Sequence, residues 1–200
     1  LNMTYLALRF ANYTNGVAMR HGEVSTDMFP HYPINAITNG VHAVTWTAPP
    51  FRNLYDRRIP EWRYDNHYLR YAVGIPLHEI QQAHAEAKRE LLDEVEKRTG
   101  VRLNQAAMTL GFARRATPYK RADLLFYDLD RLRGIARRVG PLQIIYAGKA
   151  HPWDEGGKVI IRRIFEAAAA LGDAVRVLYL ENYDVALARQ LCAGVDLWIN

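Results

Sequence analysis

Residues 113–121 read ARRATPYKR, which gathers Arg114, Arg115, Lys120 and Arg121 within eight positions around a Thr117-Pro118-Tyr119 break. A guanidinium presents a planar fork matched to phosphate oxygens, and an ammonium adds a point charge. The preceding MTLGF is apolar, as in a buried strand, and the following residues read as helix. A helix N-terminus would add free N–H groups and a partial positive charge. Together these features describe a phosphate or pyrophosphate site. The plain alternative is a solvated basic cap on a helix, with salt bridges to Asp123 or Asp128.

Two further loops could meet that one. GKAHPWDEGGK carries Gly148, Gly156 and Gly157 with Lys149 and Lys158. Glycines permit turns and close backbone approach. The Gly-Lys-Ser/Thr order of a Walker A loop is missing, so a structural turn is the better reading. ENYD supplies Glu181 and Tyr183, and Glu181 suits a helix cap, a sugar hydroxyl or a basic side chain. In the first half, TNGVHAVTW carries Asn39, Gly40, His42 and Trp46. An amide beside glycine suits hydrogen bonding to hydroxyls. Trp46, Trp62 and Tyr55 could stack on sugar faces or serve as core. The histidines lack metal-ligand spacing on a helix, so no metal site is expected. No Gly-x-Ser-x-Gly elbow occurs, and Cys192 has no evident base beside it.

The elements that must position these loops change character along the chain. Residues 1–76 are rich in aromatics, Asn, Pro and His, and Pro33, Pro49, Pro50 and Pro60 predict an irregular course over 32–66. Residues 77–99 form a predicted helix with Leu77, Ile80, His84, Ala87, Leu91 and Val95 on one stripe, stopped by Gly100. Strands are then expected at Met108–Phe112, Leu142–Ala147, Val175–Leu180 and Val195–Ile199. Helices are expected between them at Arg121–Val139, 156–171 and Val185–Ala193. Strand-helix units at roughly 30-residue spacing predict a parallel α/β sheet with right-handed crossovers. In such a sheet ligands sit beyond the carboxyl ends of the strands, which is where all three C-terminal loops fall. A domain boundary is placed near residue 104.

Composition narrows the classes. Half the residues are hydrophobic and 24% are charged, an ordinary balance for a chain that buries a core. No apolar run approaches the roughly 18 residues needed to cross a bilayer. No signal peptide is visible, and one cysteine fits a reducing, cytoplasmic setting. The net charge of +5 invites a nucleic-acid reading. Acidic residues interleave nearly everywhere outside 114–121, so no basic stripe exists to support it. Leu1 reads as mid-helix and Asp196–Asn200 as a strand entering a loop, so the chain is expected to be an excerpt of a longer protein.

Five stretches in order carry a resemblance: NMTYLALRFANYTNGVAMRHGEVS, AITNGVHAVTWTAP, TLGFARRATPYKRADLL, IIYAGKAHPWDEGGK and YLENYD. Together they resemble the α-glucan (glycogen, starch or maltodextrin) phosphorylases, particularly the shorter bacterial and archaeal type. The resemblance implies a GT-B architecture: residues 1–103 would end the N-terminal domain, and 104–200 would begin a Rossmann-like C-terminal domain. It implies reversible phosphorolysis of α-1,4-glucans to α-glucose 1-phosphate, with α-1,4-glucan and inorganic phosphate as partners and pyridoxal phosphate as cofactor. It leaves room for a homodimer of the full-length protein and calls for neither nucleic acid nor membrane. In the family the lysine that holds the cofactor as a Schiff base lies past residue 200.

By the same resemblance Arg115 and Lys120 handle phosphate, and Arg114 and Tyr183 approach the cofactor. Asn39 and Tyr119 would contact glucose. Lys149, Glu181 and His21 match family motifs without an assigned role. Position 114 is Arg where better-known members carry Lys, Thr117-Pro118 replaces a His-Glu pair, and Asp184 replaces an Arg. A nucleotide-sugar-dependent GT-B glycosyltransferase such as glycogen synthase, which also needs Arg and Lys for a pyrophosphate, is the alternative.

Overall fold

The computed structural model describes residues 2–200, in two compact units, Leu1–Ala43 and Val44–Asn200. In the first unit, α1 (Met3–Phe10) starts where the Asn2 side chain accepts the Thr4 N–H at 3.0 Å. β1 (Asn15–Gly16) pairs in parallel with β2 (Asn35–Ala36), and α2 (Met19–Met28) connects them. The ladder is prolonged by Ile37 N–H donating to Gly16 and Asn39 N–H donating to Val17, which fixes the backbone of residues 37–39.

The prolines of the next stretch behave differently from expectation. After α3 (Ala43–Trp46), Pro49 and Pro50 occupy the first turn of α4 (Pro49–Arg58). There the missing N–H has no intrahelical partner to lose, and the fixed φ suits a helix. Pro60 likewise opens a 3₁₀ turn (Pro60–Arg63), and a second runs from Asn66 to Gly74. Trp62 is fully buried, its indole N–H donates to Asp56 at 2.8 Å, and it meets Tyr55 edge-on. It is core, not a sugar platform.

The helix predicted over 77–99 is α5 (Leu77–Thr99), closed by Gly100 at φ 69°. Its buried stripe is Ala83, Ala87, Lys88, Leu91, Leu92 and Val95; Leu77, expected inside, is 75% exposed. Four parallel strands come next: β3 (Met108–Ala113), β4 (Leu142–Ala147), β5 (Arg176–Leu180) and β6 (Leu197–Trp198), in the order β5-β4-β3-β6. Counted from β3 this is 3-2-1-4, the order of a doubly wound sheet whose switch point lies between β3 and β6.

Alternate residues of the strands face opposite layers, as the two-residue period requires. Leu110, Phe112, Ile144, Tyr146 and Val177 pack with α6 (Leu129–Val139) and α7 (Glu155–Leu171). Ala113, Ile145, Ala147 and Leu180 pack with α5 and α8 (Val185–Gly194). Strands buried on both faces are what the unbroken apolar run LQIIYA predicts.

One element differs where it matters. The continuous helix expected over Arg121–Val139 is instead one three-residue turn, Leu124–Phe126, followed by α6; a further such turn, Pro118–Lys120, lies just before it in the basic loop. Arg121 has a left-handed φ of 48°. The helix starts only at Asp128, whose carboxylate accepts the Arg131 N–H at 2.8 Å. An aspartate that bonds the backbone this way favours the cap over the helix interior.

Candidate anion site at the carboxyl edge of the parallel sheet

β3 delivers the chain directly into Arg114 and Arg115, and β4 delivers it into Gly148 and Lys149. The two loops are tied together by Ala116 N–H donating to the Lys149 carbonyl at 3.1 Å. Since β3 and β4 run in register from Met108↔Leu142 to Ala113↔Ala147, the loops leave the sheet side by side. Tyr146, buried in β4, donates its hydroxyl to the Ala122 carbonyl at 2.8 Å and anchors the far end of the basic loop.

Of the four loop cations, Lys120 makes a direct contact with Tyr119, and the charges of Arg115 and Arg114 reach the same phenol. Lys120 Nζ lies 4.4 Å from the centre of the Tyr119 ring, a cation–π distance. The Tyr119 phenol is held below its ordinary value, first by its hydrogen bond with Lys120, then by the charges of Lys120, Arg115 and Arg114. Arg121 departs from this group: it lines a groove with Asp123, Leu124, Tyr127 and Arg163. No carboxylate forms a salt bridge with Arg114, Arg115, Lys120 or Lys149 among the described residues. The acids expected as possible counter-charges are committed elsewhere, Asp123 to Arg163 at 3.1 Å and Asp128 to the α6 cap.

The helix that supports the loop is not the one after it. Because α6 begins at residue 129, its N-terminus does not stand behind Lys120 and Arg121. α7, from the second loop, comes closest: its Gly157 lies against the Ala116 carbonyl, and Gly156 lies near the Pro118 ring. Its first turn is capped by Asp154, which accepts the Gly157 N–H at 2.9 Å.

The third loop contributes Tyr183, half-buried against the α5–α8 layer, where burial pushes its phenol up. A phenol so placed stays protonated at neutral pH and can donate a hydrogen bond. Asp184 caps α8 by accepting the Leu187 N–H at 2.8 Å, which accounts for an acid where an arginine was expected. Glu181 is exposed, and its carbonyl accepts from Arg98 at 3.3 Å. Asn39 belongs to the first unit, exposed in the segment after β2. His21 accepts the Val17 N–H at 3.0 Å there, a local turn bond.

A cluster that sequence reading missed lies at the opposite end of the sheet. Lys88, buried in α5, donates to Asp196 at 2.6 Å and to the Ala107 carbonyl at 2.7 Å. His84, one turn earlier, meets the other Asp196 oxygen at 2.8 Å, and Asp196 also accepts the Thr109 N–H. The spacing of His84 and Lys88, four apart on one helix face, was the available signal. Asp196 precedes β6 and Thr109 opens β3, so this cluster braces strand beginnings, away from the loops.

The fold and the loops thus define an α/β protein with a cationic site at the carboxyl edge of a doubly wound sheet. The family model for carbohydrate phosphorylases matches residues 1–198, and the chain belongs to that family. It is 37% identical to maltodextrin phosphorylase of Thermococcus litoralis over 100% of this chain and 27% of that protein. It is also 37% identical to glycogen phosphorylase of Aquifex aeolicus, over 100% of this chain and 33% of that protein. The figure for glycogen phosphorylase of Mycobacterium tuberculosis is 34%, over 26% of its length. The chain therefore spans about a quarter to a third of the relatives it matches.

Proposed function

We propose that the full-length protein catalyses reversible phosphorolysis of α-1,4-glucans, giving α-glucose 1-phosphate with retained configuration. Family membership supports the reaction class. The observation that carries the residue assignment is that β3 and β4, in register, deliver Arg114, Arg115, Lys120 and Lys149 on adjoining loops tied by the Ala116–Lys149 hydrogen bond, with no salt bridge to a carboxylate from any of the four among the described residues.

In this reading Arg115 and Lys120 hold inorganic phosphate, Tyr119 and Asn39 contact the glucose unit, and the interdomain cleft of a GT-B enzyme contains them. The domains would divide near residue 104. The glycosidic C1–O bond breaks, a C1–O bond to phosphate forms, and the leaving O4 takes a proton from the phosphate. Guanidinium and ammonium groups stabilise the phosphate charge as that proton departs, and a preorganised site does so without reorganising water.

Arg114 and Tyr183 fit the phosphate of pyridoxal phosphate: one is a cation of the basic loop and the other a protonated phenol. When bound, the cofactor would supply a second phosphate able to exchange a proton with the first. Two phosphates close together repel, and Arg114 beside Arg115 lowers that repulsion. The single cysteine supports a cytoplasmic setting, and the reading leaves room for a homodimer of the full-length protein.

The direct test incubates the full-length protein with maltodextrin and inorganic phosphate. Phosphate-dependent release of glucose 1-phosphate is expected. Glucosyl transfer from ADP-glucose without such release would overturn the reading.

A further inference from the structure

The basic loop has no helix N-terminus directly after it and, among the described residues, no carboxylate salt bridge to Arg114, Arg115 or Lys120. Its backbone is held by the second loop. A Cβ built on Gly157 would lie 2.2 Å from the Ala116 carbonyl oxygen and 3.0 Å from the Ala150 Cβ. A Cβ on Gly148, at φ 137°, would lie 2.1 Å from the Arg114 carbonyl oxygen. The Ala116 N–H, between those two carbonyls, is bonded to Lys149. Tyr179 donates its hydroxyl to the Gly148 carbonyl at 3.2 Å and holds the second loop in turn.

We propose that Gly157 and Gly148 are positioning residues: their missing side chains let GKAHPWDEGGK close on the Arg114 and Ala116 carbonyls, setting where the neighbouring cations meet an oxyanion. The inference rests on the phosphate-handling reading of that loop. Its physical basis is spacing. A methyl group at 157 would push the Ala116 carbonyl back by about 1 Å, and a displacement of that size in the loop that carries the cations is enough to weaken their hold on phosphate by roughly tenfold or more. The glycine is not there for backbone freedom. Position 157 is in the first turn of α7, where alanine is the better helix former.

The experiment uses the full-length protein. Gly157→Ala is compared with wild type and with Gly134→Ala, a glycine in α6 whose added Cβ meets nothing within 4 Å. Expected for Gly157→Ala is a rise in the KM for inorganic phosphate of about tenfold or more, with the KM for the glucan changed less than about twofold. Gly134→Ala should match wild type in both. Tyr179→Phe, which removes only one hydroxyl, is the gentler variant should Gly157→Ala not fold; a rise of about threefold in the phosphate KM alone is expected.

An unchanged phosphate KM in a folded Gly157→Ala, or in Tyr179→Phe where Gly157→Ala does not fold, overturns the positioning role. A proportional rise in both KM values also overturns it, because that would be a general loss of structure. Wild type that shows no phosphorolysis sinks the functional reading instead, a result separable from either variant outcome.

Discussion

Lys88 Nζ stands 2.6 Å from Asp196 Oδ2 across 108 positions of sequence, and only 7% of the lysine side chain is exposed. The pair joins the long helix α5 to the start of β6, at the amino end of the sheet. Removing the lysine leaves a part-buried carboxylate with one less donor, whereas the intact pair itself adds little net stability. Lys88→Met should therefore destabilise the full-length protein by about 3 kcal/mol. Urea unfolding midpoints measure this, and a midpoint equal to wild type would show that Asp196 is satisfied by His84 and Thr109 alone.

Acid sensitivity should arise from carboxylates held as anions. Asp56 is lowered from 3.8 to about 2 by its hydrogen bonds from Arg63 and Trp62 and by the charge of Arg63. Burial pushes Asp196 up, but bonds from Lys88, His84 and Thr109 outweigh it and lower its value. A depressed folded value contributes stability above the unfolded value and loses it as pH falls through the folded one. The protein should lose stability as pH drops from 3.8 towards about 2, and Asp56→Asn should flatten that dependence. Urea midpoints taken from about pH 5 to about pH 2 test it; an equally steep Asp56→Asn profile would remove Asp56 from the effect.

Arg115→Ala in the full-length protein should lower phosphorolytic turnover by about 10², the scale of losing one preorganised charge contact at the transition state. Steady-state rates at saturating glucan and phosphate decide it. Turnover near that of wild type would take Arg115 out of the chemistry.

Trp62 separates a stacking role from a packing role. It is fully buried and bonded to Asp56, so Trp62→Ala should cost about 3–5 kcal/mol of stability. The glucan KM, measured below the variant's unfolding temperature, should stay as in wild type. A selective rise in that KM with unchanged stability would return Trp62 to the sugar site.

Local pattern carried far in the second unit. LQIIYA reads as a strand covered on both sides, Gly100 reads as a helix stop, and the bunching of Arg114, Arg115 and Lys120 was visible as unusual without any coordinates. These are properties of a residue and its near neighbours: period, cap chemistry and charge density. Family motifs at the ends of successive strands extended this to a reaction class.

Three things depended on distant residues coming together. Asp128 outcompeted the preceding residues for the start of α6, and Asp123 was taken by Arg163, so the basic loop lost both the helix and the counter-charges that adjacency suggested. Pro49 and Pro50 read as breakers, yet they begin α4, because a proline ends or opens a helix according to whether the residues after it can wind on and bury a face. Gly148 and Gly157 read as turn residues, and only the parallel register of β3 with β4 brings them against the carbonyls of Arg114 and Ala116. Close approach between segments is a three-dimensional contact, and no one-dimensional spacing encodes it.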